Sequence, residues 1–159
     1  MAPTGTTSAG PPTPATLRQR LVTVMIALVV AQILYALLAM AMLQGGFKAP
    51  RRNEPGGPIL LAVFLVGMCG AMSSLPVVKA LARRQPVSAD FTTTARGLLK
   101  QFFVGFALAQ TASLAGLLIF FLYGDLNTLL FLIWVAATAI VAHFLRVKKV
   151  IDEFEKQQR

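Results

Sequence analysis

Four long apolar windows, almost free of charged residues, constrain this chain more than any other feature. They cover about residues 21–44, 58–82, 99–123 and 126–145. Each holds roughly 20 residues or slightly more, which is enough for a helix to cross a hydrocarbon layer of about 30 Å. Because that layer contains no water, every backbone N–H and C=O must be bonded within the segment, as in a helix. We therefore predict an all-α membrane protein with four transmembrane helices.

The overall composition agrees with this class. Hydrophobic residues make up 56% of the chain, charged residues make up 13%, and the mean hydropathy is +0.69. The net charge of +9 would also suit a nucleic-acid-binding protein, but such a protein needs a basic face on a soluble module. Here the basic residues lie at the ends of the apolar windows, where anionic lipid headgroups are the expected partner. We predict contact with the lipid bilayer and no nucleic-acid partner.

The first window has an alternative interpretation as a signal peptide, because Ala39-Met40-Ala41 resembles a cleavage site. The apolar core of a signal peptide holds only about 7–15 residues. The first window is longer and three further windows follow it, so we expect a retained helix. Residues 1–17 are rich in Pro, Thr, Gly, Ser and Ala, which predicts a disordered N-terminal segment. The transmembrane domain is then expected to span 18–146.

Basic residues are unequally distributed between the two sides of the predicted bundle. Of the 15 Lys and Arg residues, only Lys48, Arg51 and Arg52 lie on the side of the first loop. The positive-inside rule therefore predicts that both termini and the 83–96 loop are cytoplasmic. The expected location is a cell membrane, with a bacterial inner membrane favoured. The short Gly/Pro-rich connections favour antiparallel neighbours, so we expect two antiparallel hairpins, with a tight reversal at Gly124-Asp125.

The last segment, 147–159, is predicted to be a basic amphipathic cytoplasmic tail. Val147, Val150, Ile151 and Phe154 recur at spacings of three and four residues, as on one face of a helix. Three interpretations stay open. The tail lies on the membrane surface, extends the fourth helix into water, or pairs with a partner helix.

Ionisable residues are absent from the middle of the windows, where each would be a functional candidate by default. His143, the single histidine, is near the predicted cytoplasmic end of the fourth window. We expect it at the membrane–water interface rather than in a proton relay. The sequence has no nucleophile–base pair, phosphate-binding loop or metal-ligand spacing. These observations predict a protein that is not an enzyme and that has no metal and no cofactor.

Uncharged polar and small residues supply the candidate intramembrane site. Gln32 and Gln110 lie in the middle of the first and third windows, where a glutamine usually bonds a neighbouring helix. Gly67, Gly70 and Gly116 would let helix backbones approach closely. The first and third windows also share an Ala-Gln pair and a closing Gly at nearly equal offsets. This similarity allows the hypothesis of a duplicated hairpin.

The middle of the chain contains Arg-Gln-Pro in a loop, followed by Ala-Leu-Ala-Gln and Leu-Ala-Gly-Leu in the third window. This stretch, 79–124, resembles the helical hairpin of the proteolipids, the c-type ring subunits of rotary ATP synthases. The resemblance implies a cytoplasmic contact loop, formed by Arg83, Arg84, Gln85 and Pro86. It also implies that Gln110 stands where the family has its ion-binding acid. Because an amide does not exchange a proton near neutral pH, proton translocation by the family's mechanism is not expected.

Two functions follow from these observations as expectations. The first is a small packing or accessory subunit of a membrane complex or homo-oligomer, whose partners are other membrane subunits or copies of itself. The alternative is a proteolipid-like channel or transporter unit, degenerate in proton translocation. In that case several copies would place their Gln110 side chains around a common path.

Overall fold

The computed structural model describes residues 13–50, 57–84 and 91–157. Within these ranges the chain forms four helices and no strand. They are α1 (Pro14–Gln44), α2 (Pro58–Arg84), α3 (Phe91–Tyr123) and α4 (Leu126–Gln157). All four are long and apolar enough to cross a membrane. The prediction of an all-helical chain with four candidate spans is confirmed, and it indicates a multi-pass membrane protein.

The first helix begins earlier than its hydropathy predicts. Thr13 and Thr16 form a reciprocal capping box, and Pro14 occupies the first turn, where its missing N–H costs nothing. Residues 13–17 are therefore a cap and a first turn, which corrects the predicted end of the disordered segment. The rest of that segment, 1–12, lies outside the described residues.

Glycines with positive φ end both α1 and α3. Gly46 has a φ of 82°, and its N–H bonds the Leu43 carbonyl while Phe47 N–H bonds the Met42 carbonyl. This is a Schellman ending, whose left-handed residue favours glycine because glycine has no Cβ. Gly124 has a φ of 73° and ends α3. Asp125 then caps α4 by accepting the Thr128 N–H at 3.1 Å.

The helices extend two turns or more beyond the apolar windows at one end of the bundle. There the start of α1, the start of α3 and the end of α4 pack together. We call this set the cap cluster: Leu17, Leu21, Ala95, Leu98, Phe102, Val147 and Ile151. The segment after residue 146 is thus a continuation of α4 with no break, and two of its apolar residues are buried against its own chain. The side chain of Phe154 lies outside the described residues.

The packing order differs from the order along the chain. α3 packs against both α2 and α4, whereas α1 packs mainly against α4. α1 and α2 make no contact with each other in the described residues, so the structure gives no support to their packing as a hairpin. At the end opposite the cap cluster, Ala39 packs with Phe120 and Leu129. α1 and α3 therefore run parallel, and α4 runs antiparallel to both.

α1 is the most peripheral helix. In its most apolar window 11% of the residues are buried, compared with 44% in α3. Its buried residues are Leu17, Leu21, Gln32 and Ala39. At 100° per residue these four positions fall on one narrow face of the helix. A single seam of contacts therefore holds α1 to the bundle.

We predict that Ile151→Ala lowers the free energy of unfolding by about 2–5 kcal/mol, because Ile151 is buried in the cap cluster and its truncation leaves a cavity. The cap cluster extends beyond the apolar windows, where burial from water is favourable. The measurement is unfolding of the detergent-solubilised protein, followed by circular dichroism.

The matched control is Lys149→Ala, two residues away. Lys149 is exposed, and its ion pair with Glu153, at 4.0 Å, is solvent-accessible, so its loss has little effect. Equal destabilisation by the two substitutions would contradict a packed cap.

Candidate functional site

A polar cluster, buried at two of its three side chains and half-buried at the third, Gln110, joins α1 to α3. The Nε2 of Gln32 donates a hydrogen bond of 2.7 Å to Oε1 of Gln110. The Ser113 hydroxyl donates to Oε1 of Gln32 at 2.5 Å. Gln32 is 2% exposed and Ser113 is fully buried. We call Gln32, Gln110 and Ser113 the glutamine cluster. Both glutamines belong to the site predicted from sequence, whereas Ser113 was not included in it.

The depth of the two glutamines explains why they meet. Gln32 precedes Gly46 by fourteen residues, and Gln110 precedes Gly124 by the same number. Both glycines end their helices at the same end of the bundle, where Ala49 lies beside Gly124. At 1.5 Å per residue each glutamine is roughly 20 Å from its helix end. Parallel helices that end at one level bring residues of equal depth side by side.

Ser113 completes the cluster because it follows Gln110 by three residues and therefore shares a face of α3 with it. The helical spacing was a usable signal for this residue. The hydroxyl satisfies the Gln32 carbonyl oxygen, and the Gln32 amide satisfies the Gln110 carbonyl oxygen. Hydrogen bonds of this kind between membrane helices contribute about 0.6 kcal/mol on average and up to about 1.7 kcal/mol. The cluster is neutral, and none of its three side chains ionises near neutral pH.

The three predicted packing glycines lie at two different helix contacts. A Cβ added to Gly67 would stand 2.6 Å from the Ala115 Cβ, and one added to Gly70 would clash with Oγ1 of Thr111. These two glycines set the close approach of α2 to α3. A Cβ on Gly116 would instead meet Leu129 of α4 at 3.1 Å. The five predicted residues are therefore distributed over three helix interfaces rather than gathered in one site.

Another close approach, which the sequence did not predict, involves Gly105 and His143. A Cβ on Gly105 would lie 2.8 Å from both the His143 ring and the Val78 side chain. His143 is 1% exposed, so it lies inside the bundle between α2, α3 and α4 rather than on its surface. Neither ring nitrogen has a hydrogen-bond partner among the described residues. Only the three-dimensional packing reveals that Gly105 makes room for the imidazole.

The predicted cytoplasmic contact loop is described only at its start. Arg83 is exposed near the end of α2, and Arg84 is the last residue of that helix. Gln85, Pro86 and the side chain of Arg84 lie outside the described residues. Their role in contacts stays a prediction.

No metal-binding group of three or more His, Cys, Asp or Glu side chains is found in the described ranges 13–50, 57–84 and 91–157. Comparisons with protein-family models, with curated proteins and with solved structures find no match to this chain. The proteolipid resemblance of residues 79–124 therefore rests on the quoted residues and stays a prediction.

We predict that Gly67→Ala destabilises the α2–α3 contact, because its Cβ would overlap the Ala115 Cβ and neither atom can rotate away. The expected loss is about 1–3 kcal/mol of unfolding free energy. Adding Ala115→Gly to the same chain should recover part of the lost stability, because it removes the methyl group that the new Cβ at residue 67 overlaps. Val66→Leu, at a position that is 68% exposed, is the control expected to be neutral. An absence of rescue would contradict this contact.

We predict an interaction free energy of about 0.5–1.7 kcal/mol between Gln32→Leu and Gln110→Leu in a double-mutant cycle, because one direct hydrogen bond joins the two side chains. The measurement is the unfolding free energy of the wild type, both single variants and the double variant in one detergent. Gln32→Leu alone should cost more than Gln110→Leu alone, since Gln32 also accepts from Ser113. Strict additivity would show that the bond does not form.

Proposed function

We propose that this chain is a multi-pass membrane protein without chemistry of its own, acting as a packing or accessory subunit of a membrane complex or homo-oligomer. One observation carries the proposal. The Gln110 carbonyl, which stands where the proteolipid family has its ion-binding acid, is bonded to Gln32 of the same chain. Gln32 and Ser113 are buried in the bundle, and the half-buried Gln110 is tied to them through its carbonyl oxygen.

The same bond weighs against the transport alternative. For several copies to line a path with the Gln110 carbonyl oxygen, α1 would have to leave α3 and break the Gln32–Gln110 hydrogen bond. The outward faces of the helices instead carry large apolar side chains, including Ile33 and Leu37 on α1 and Val66 and Met72 on α2. Such faces suit lipid or an apolar partner helix, and they do not suit a hydrated pore.

The proposed arrangement in the membrane has the α1–α2 and α3–α4 connections on the outer side and both termini in the cytoplasm. Its support is that the ends of α1, α3 and α4 that meet in the cap cluster also carry basic residues, including Arg20, Arg96 and Arg146. The opposite end of the bundle has few basic residues. This asymmetry follows the positive-inside rule.

We expect the protein, gently solubilised and weighed by native mass spectrometry, to appear as a defined small homo-oligomer or bound to unrelated membrane chains. A monomer without any co-purifying chain contradicts the subunit proposal. A closed ring of many copies favours the proteolipid-like alternative instead.

A second measurement separates the two functions at Gln110. Gln110→Glu, reconstituted in liposomes, is expected to cause no proton leak and no labelling by dicyclohexylcarbodiimide beyond that of Gln32→Glu. The Gln32 variant is the matched control, because it makes the same chemical change in the same cluster but outside residues 79–124. Labelling and leak specific to the Gln110 variant would overturn the packing role.

A further inference from the structure

A groove lies between the first three turns of α1 and the third and fourth turns of α3. Its volume is about 690 Å³, and one side of it is lined by Thr16, Gln19, Arg20, Leu21, Thr23 and Val24 of α1. Leu99 and Phe103 of α3 line the other side. This volume is within the range of about 300–1,000 Å³ that is usual for small-molecule sites. The groove is open along its length rather than enclosed.

The lining becomes mostly apolar with depth. On α1 the polar residues Thr16, Gln19 and Arg20 precede residue 21, where the first apolar window begins. Thr23 is a polar lining residue inside that window, and its hydroxyl donates to the Gln19 carbonyl at 3.1 Å. Val24, Leu99 and Phe103 lie within the windows. The groove therefore crosses the expected boundary between headgroups and hydrocarbon, with its polar mouth on the headgroup side. An occupant that matches both parts is itself amphipathic.

The charge at the mouth is positive. Arg20 lines the groove, and Arg96 precedes Leu99 by three residues, on the same face of α3. Both side chains are exposed, and no carboxylate pairs with either within the described part of the chain. Phe103, 52% exposed, continues the apolar wall outward. Arginine forms charge-assisted, bidentate hydrogen bonds with phosphate.

We propose that this groove binds one anionic phospholipid. Arg20, with Arg96 beside it, holds the phosphate. The acyl chains run along Val24, Leu99 and Phe103 into the surrounding membrane. The site requires the chain to lie in a bilayer and is independent of whether the protein is an accessory subunit or a transport unit.

The test is native mass spectrometry of the delipidated full-length protein, titrated with phosphatidylglycerol or with phosphatidylcholine. We expect one phosphatidylglycerol to bind at 1:1 stoichiometry, at least about fivefold more tightly than phosphatidylcholine. Arg20→Gln should weaken phosphatidylglycerol binding about fivefold, the effect of one basic side chain at a lipid surface. Arg20→Lys should retain part of the affinity.

Arg18→Gln is the matched control. It removes the same charge from the same helix, but residue 18 is two positions from Arg20 and does not face the same side. Its expected effect is less than twofold. Equal losses in the Arg18 and Arg20 variants would show general charge attraction and overturn the site. Equal affinity for phosphatidylcholine would overturn it too.

Two further arms exclude other occupants. Glycerol phosphate at millimolar concentration should not displace the lipid, because it lacks the acyl chains, and displacement would overturn the lipid assignment.

A variant that lacks residues 1–12 should bind the lipid as the full chain does. Tenfold tighter binding would show that the chain's own N-terminal segment is the occupant. A photoreactive acyl chain on phosphatidylglycerol should label the peptide that contains Leu99 and Phe103.

Discussion

Lipid chains are as apolar as leucine side chains, so burial of apolar surface does not drive helices together inside a membrane. A bundle of four such helices therefore depends on other interactions, and this chain has three. Small residues such as Gly67 and Ala115 allow α2 and α3 to approach so closely that there is no room for a Cβ at residue 67. The glutamine cluster joins α1 to α3. The cap cluster extends beyond the apolar windows, where burial from water is again favourable.

These interactions are divided unequally among the helices. α2, α3 and α4 have close contacts at Gly70, Gly105 and Gly116, each with too little room for a Cβ to be added without a shift. α1 has a single seam and no contact with α2 in the described residues. The groove lies beside this loosely packed helix and next to the cap cluster, and Leu21 belongs to both.

Much of the fold follows from the sequence, because hydropathy reports which residues avoid water. The four windows are of this kind, whereas the turn at Gly124 was predicted from the Gly-Asp pair. The start of α1 at Pro14 was not predicted, and the continuation of α4 to Gln157 was one of three interpretations, since backbone hydrogen bonding extends past the hydrocarbon boundary. The sequence also did not predict which face of α1 packs against the bundle. Its buried Leu17 and Leu21 are no more apolar than the outward Leu34, so periodicity does not distinguish protein from lipid on that helix. The close approach of Gly105 to His143 could be recognised only from the three-dimensional packing.

The position of α1 is set by two contacts far apart on one face. Leu17 lies in the cap cluster, and Gln32, fifteen residues later, lies in the glutamine cluster. At 1.5 Å per residue they are roughly 22 Å apart. A slide of one turn, about 5.4 Å, would break both hydrogen bonds of Gln32 and withdraw Leu17 from its contacts. A rotation of α1 about its own axis would bury outward-facing residues in place of Leu17 and Gln32. Two distant contacts therefore define the register of a helix that apolar packing alone would leave free to slide.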